Sequence, residues 1–197
     1  MSDRTSAAAR AMDHAVISYR QALDYPALLT EMNSIFESAT AEEIIEAVEP
    51  FISMPEVAGP AYERVVDQRP NDARSLVVLA SAYWLTGRGP EVVGELASRA
   101  LAADPGNRGA WHLWALTEGD PRRRMERWMQ VTRRFADDAL ARANLADNAT
   151  SLASAENDPV ALAVAIDSYE LLLAEAEHPD QRQAIQKALE TLRNWRV

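Results

Sequence analysis

Cysteine is absent from this 197-residue chain, which excludes disulfides, thiolate nucleophiles and cysteine zinc sites. Lysine is nearly absent, and Lys187 is the only one. The other basic side chains are therefore arginine, and with so much alanine this suggests a high-GC bacterial source. Positive charge is outweighed overall. The formal net charge of −10 opposes counterion-release binding to nucleic acid and attachment to anionic lipid. No run of about 18 apolar residues exists, so no membrane-spanning helix is predicted. The segment Met1-Ser-Asp-Arg-Thr-Ser-Ala-Ala-Ala-Arg10 lacks the apolar centre of a secretory signal. A cytoplasmic protein with neither nucleic-acid nor membrane partners is expected.

Chemistry-bearing constellations are equally scarce. His14, His112 and His178 are isolated, and none has a second ligand at metal spacing, so no metal or cofactor is expected. Glu42, Glu43, Glu46 and Glu49 read as the wet face of a helix, with acid placed at its N-terminus. Gly87-Arg88-Gly89 is not a phosphate loop, because no strand precedes it and no Gly-Lys-Ser/Thr follows. Gly-x-Ser-x-Gly is missing as well. No catalytic residue can be nominated, and the chain is expected not to be an enzyme.

What the sequence does contain is helical periodicity. Strand-type alternation is not sustained anywhere, while apolar residues recur at spacings of three and four. Helices are predicted over 8–24, from Pro26 to about 36, from 41 to about 50, and over 55–68, 73–86 and 90–103. Further ones fall at 108–118, 121–135 and 138–153, then in a long stretch after Pro159 and a last one after Pro179. Thr40 and Glu43 form a capping box. About eleven helices with short connections make antiparallel neighbours the expected arrangement. The length suits one domain, 1–197.

One phrase of this punctuation repeats. The unit from Ala73 to Asn107 carries Leu79-Ala80 and Tyr83 on a first helix, stops at Gly87, and restarts at Pro90. It then carries Ala100-Leu101 and ends in Asp104-Pro105. The next unit supplies Trp111, Trp128 and Val131, and residues 139–173 supply Leu145-Ala146, Ala165, Tyr169 and Leu172-Leu173. Upstream, Ala58, Tyr62, Val65 and Pro70-Asn71 fit a second helix, and Ala15, Tyr19 and Ala22-Leu23 fit another. A two-helix period of about 34 residues with these markers resembles the tetratricopeptide repeat (TPR) family.

The resemblance implies an all-α, right-handed α-solenoid of antiparallel helix pairs. Residues 1–54 would be divergent N-terminal helices, 55–179 TPR-like repeats, and 180–197 a capping helix. It implies a non-catalytic scaffold or adaptor that binds a helical or extended peptide in a concave groove lined by the first helix of each repeat. The groove positions would be Arg74, Val77, Ser81, Trp84, His112, Leu116, Ala143 and Asp147. The Lys and Asn side chains with which the family grips terminal carboxylates are missing there. An aromatic groove anchored by Trp84, with Arg74 and His112 as polar contacts, fits better. Trp84 packed between repeats, or a groove filled by the first helix, are the bland alternatives.

Two further features stand apart. Arg122, Arg123, Arg124, Arg127, Arg133 and Arg134 form the one basic cluster, with Arg123, Arg127 and Arg134 on one helix side. A solvated face and a docking patch for an acidic partner or phosphate are both open readings. Trp111, Trp114, Trp128 and Trp195 make the C-terminal half aromatic, which suits a homo-oligomerisation module, such as a homodimer, as the alternative function. A helical enzyme or small-ligand domain is the third.

Overall fold

The computed structural model describes residues 6–195 of the chain. Among them there are eleven α-helices and no strand: α1 (Ala7–Ala22), α2 (Tyr25–Phe36), α3 (Ala41–Val48), α4 (Pro55–Gln68), α5 (Ala73–Leu85), α6 (Pro90–Ala103), α7 (Arg108–Leu116), α8 (Pro121–Arg134), α9 (Ala139–Glu156), α10 (Pro159–Glu175) and α11 (Pro179–Arg193). The chain divides into two compact units, Met1–Leu113 and Trp114–Val197. No helix among the described residues is long and apolar enough to cross a membrane.

The helices begin where short polar side chains can accept the free N–H groups of a first turn. Asp24, Asp72, Asp120, Asp138 and Asp158 cap α2, α5, α8, α9 and α10, accepting from backbone N–H groups of each first turn. A proline follows directly in Asp120-Pro121 and Asp158-Pro159, where its missing N–H costs nothing. At α3 the capping box is complete: the Thr40 N–H donates to Glu43 Oε2 (2.8 Å) and the Glu43 N–H to Thr40 Oγ1 (3.3 Å). The Thr40 N–H, joined by the Thr40 hydroxyl donating to the same oxygen (3.0 Å), holds the Glu43 carboxyl below its ordinary pKa. Disorder was expected over roughly the first seven residues. Residues 1–5 lie outside the described residues, whereas Ser6 caps α1 by accepting from the Ala9 N–H (3.1 Å).

Helix ends differ more from the sequence pattern. The first helix, predicted over 8–24, stops two residues earlier. The helix closes at Leu23, whose φ of 54° is left-handed and whose side chain is 75% exposed. Pro26 already belongs to α2. Likewise Asn157 ends α9 with a left-handed φ of 50°, and only then does Asp158 open α10. Gly87 and Gly89 hold the α5–α6 turn with φ of 74° and 95°, values that penalise any Cβ.

In the first unit α1 packs on α2 and α3, α3 on α4, α2 on α4, and α5 on both α4 and α6. The segment with Ala15, Tyr19 and Ala22-Leu23, whose spacing fits a second helix, packs on the two helices that follow it. The same small-then-aromatic spacing serves on either helix of a pair. Met12, Val16, Leu28, Met32, Ile44, Val57, Val65 and Leu76 form the buried interior with alanines between them. In the second unit α8 packs on α9, α9 on α10 and α10 on α11. Leu172 and Ala176 meet Ile185 and Leu189 there. Arg142, nearly buried, pairs with Glu175 and donates to the Ala136 carbonyl, which ties the start of α9 to the end of α10.

The Tyr62 ring is 1% exposed and its hydroxyl has no hydrogen-bond partner. Burial, the largest cause, raises its pKa. An unpaired buried hydroxyl gains nothing from being polar. Tyr62→Phe is therefore expected to leave stability unchanged or raise it by up to about 1 kcal/mol in a thermal melt. A loss of that size would show instead that the hydroxyl is bonded in solution.

Candidate functional site

A helix advances about 100° per residue, so Arg74, Val77, Ser81 and Trp84 share one face of α5. The cap that starts this helix is reinforced: Asp72 Oδ1 accepts from the Arg74 N–H (3.1 Å) and Oδ2 from the Ser75 hydroxyl (2.8 Å). Arg74 is exposed and donates to both oxygens of Glu49 (2.8 and 3.1 Å). Ser81 turns its hydroxyl back to the Val77 carbonyl (2.8 Å). Trp84 is 39% exposed and Leu85 beside it 69%. Leu85 was not singled out from sequence, although it borders the same face.

Val77 is half-buried because α7 approaches it closely. A Cβ at Gly109 would lie 2.9 Å from Val77 Cγ1. His112 is half-buried on α7, in the same unit as α5. Leu116, also half-buried, belongs to the second unit, as do Ala143 and Asp147. Asp147 accepts a hydrogen bond from the Tyr169 hydroxyl (2.6 Å). That bond adds to burial in raising the Tyr169 pKa to about 12.

The arginine cluster is divided in its use. Arg127 is half-buried: it pairs with Glu118 (2.7 Å), donates to the Trp114 carbonyl (2.6 Å) and lies 4.4 Å over the Trp114 ring. Arg122 bridges Glu156 and Asp158 (2.5 and 2.8 Å), and Arg124 donates to Asn148 (2.7 Å). Arg123 and Arg134 are exposed, with Arg134 5.8 Å over the Phe135 ring. Of the aromatic residues, Trp128 is 2% exposed, Trp111 donates its Nε1–H to the Pro105 carbonyl (2.9 Å), and Trp195 is 37% exposed.

The opposite side of α5 carries a pair that sequence reasoning missed. The Tyr83 hydroxyl donates to Glu63 of α4 (2.7 Å), and the Arg88 guanidinium lies 5.1 Å over the Tyr83 ring. Burial and this bond push the Tyr83 pKa up to about 12. Twenty residues separate the partners. Arg142 was more legible, being one charge within the apolar stripe of Leu145, Ala146 and Ala149. Among the described residues no group of three or more His, Asp or Glu could hold a metal ion.

No protein-family profile matches the sequence, and no curated protein matches it either. Solved structures do match the fold. The "thermophilic TPR protein" TTC0263 of Thermus thermophilus is 19% identical, with a TM-score of 0.57 over 93% of this chain and 99% of its own. The pilF protein of Pseudomonas aeruginosa is 15% identical, with a TM-score of 0.59 over 95% and 94%. MamA is 10% identical, with a TM-score of 0.56 over 88% and 95%.

The fold is TPR-like.

Within the TPR frame, α5 and α6 are one helix pair, and their small residues explain how closely they pack. Ala80, Ala97 and Ala100 are all fully buried. Gly109 plays the corresponding part between α5 and α7. Gly109→Ala gains about 1 kcal/mol of helix propensity. The overpacking against Val77 costs about 1–3 kcal/mol. A net loss near 1 kcal/mol is expected in denaturant unfolding, and adding Val77→Ala should recover part of it. For Tyr83, an alkaline absorbance titration should show one phenol whose pKa drops in Glu63→Gln. It should stay above the ordinary 10.0, because burial is the larger cause. Since that pKa is raised in the folded state, its contribution to stability is complete below pH 10.0 and is lost as pH climbs through about 12.

Proposed function

We propose that the protein is a non-catalytic interaction scaffold that binds a helical or extended segment of another protein on the α5 face. The observation that carries the reading is the exposure of Trp84 and Leu85 together at the end of a helix whose Leu76, Leu79, Ala80 and Ala82 are buried. An indole and a leucine left in water are a large apolar area, and burying them on a partner is favourable. Arg74, held by Glu49 at the other end of α5, and His112 of α7 would supply polar contacts that set register. The net charge of −10 speaks against nucleic acid as the ligand.

The resemblance to TPR structures supports a scaffold in general. The choice of face rests on Trp84. The exposed arginines Arg123 and Arg134 are a lesser candidate for an acidic partner, since Arg127 between them is neutralised by Glu118. Self-association through the C-terminal half rests on Trp195 alone among its tryptophans, because Trp128 is buried and Trp111 and Trp114 are half-buried.

Affinity capture from the native host, with wild type beside Trp84→Ala, tests the reading. Loss of an anchor of this kind should lower partner affinity by about 2 kcal/mol, roughly 30-fold, with helical content intact. Partner binding that survives the substitution overturns the assignment of the face. Capture of the chain itself, equally by both, points to self-assembly.

A further inference from the structure

A cleft of about 250 Å³ opens on the other side of α5, between α4 and α6. Leu79 and Tyr83 form its α5 wall and stand roughly opposite Ser81 and Trp84 on the helix. The floor is apolar: Val66, Leu79 and Leu96 are at most 7% exposed. Val92 on the α6 wall is 44% exposed, so the apolar surface reaches solvent. Small-molecule sites typically enclose about 300–1,000 Å³. The cleft falls below that range and suits one or two long side chains rather than a cofactor.

The rim carries Glu63, Asp67 and Glu95 against Arg99, and Arg88 lies 5.1 Å over the Tyr83 ring of the α5 wall. Glu63 is fixed in place by the Tyr83 hydroxyl. Arg99 is drawn away to the Pro70 carbonyl (3.0 Å). Asp67 and Glu95 have no hydrogen-bond or ion-pair partner among the described residues. The cleft therefore combines an apolar floor with an unbalanced acidic rim, in a chain whose net charge is already −10.

We propose that this cleft is a second docking surface, separate from the Trp84 face, for a basic amphipathic segment of a protein partner. An arginine or lysine there would lay its methylene stem along Val92 and Leu96 and reach Asp67 or Glu95 with its charge. A leucine or methionine one helical turn away would fill the floor. The acidic field of the whole chain would speed the encounter and make it salt-dependent.

The test uses the full chain and a short synthetic peptide with arginines and leucines at helical spacing. The same peptide with glutamate in place of arginine serves as a control. Binding is followed by fluorescence anisotropy in wild type, Asp67→Asn/Glu95→Gln, Trp84→Ala, and Glu31→Gln/Glu37→Gln. The last variant removes equal charge from α2 and its C-terminal edge and reports non-specific attraction. The basic peptide should bind wild type and the acidic one should not. Affinity should fall about tenfold or more in Asp67→Asn/Glu95→Gln alone. Every other pattern overturns the proposal: no binding, an equal fall in the Glu31/Glu37 variant, a fall confined to Trp84→Ala, or no fall at all. The substituted residues are surface acids and a half-exposed indole, and circular dichroism would verify that each variant is folded.

Discussion

Close approach of helix axes is the constraint on which the rest depends. Two helices can pack at short distance only where their contact residues are small. In this chain those residues are alanines: Ala58 and Ala61 on α4, Ala80 on α5, Ala97 and Ala100 on α6, Ala146 and Ala149 on α9, and Ala165 on α10 are all essentially without exposure. Fixing the alanines fixes which side chains face away. On α5 the residues turned from the core include Trp84 and Leu85, and Tyr83 is placed to meet Glu63. Both candidate surfaces are thus by-products of how one helix is seated.

Arginine performs a second structural task. In the second unit, guanidinium groups satisfy groups that helix ends and loops leave open. Arg142 takes the Ala136 carbonyl, Arg182 the Leu173 and Ala176 carbonyls, and Arg127 the Trp114 carbonyl. A lysine could not make these forked contacts, since its ammonium is a point charge without planar geometry. At these positions the choice of arginine therefore has a local reason. At the α4–α6 cleft Arg99 is engaged in the same way, by the Pro70 carbonyl.

Much of this was readable in the sequence because it is local. Aspartate or proline announces a helix start wherever it precedes an apolar stripe, and the starts of α4, α5, α6, α8 and α11 all carry one or the other. Helix ends were harder. Leucine at position 23 adopts a left-handed conformation that nothing in its side chain requests, so the sequence offered no stop signal there. Long-range choices were harder still. Whether α1 begins a pair or completes one depends on its packing against α3. Whether Arg127 faces water depends on Glu118 and Trp114 around a turn. Val77 fits the α5 face by periodicity, yet its half-burial comes from Gly109, far along the chain on α7. Leu85 lies about 100° from Trp84 at the border of the same face, where periodicity alone does not show its exposure.

The single lysine has a practical consequence. Lys187 is exposed on α11, in the second unit, whereas both faces of α5 lie in the first. Among the side chains, amine-directed labelling will therefore attach a dye, a surface linker or a cross-linker at Lys187 alone, with the α-amino group as its competitor. A tether placed there leaves the indole and the acidic cleft chemically untouched, so immobilised protein should report on both surfaces as they are.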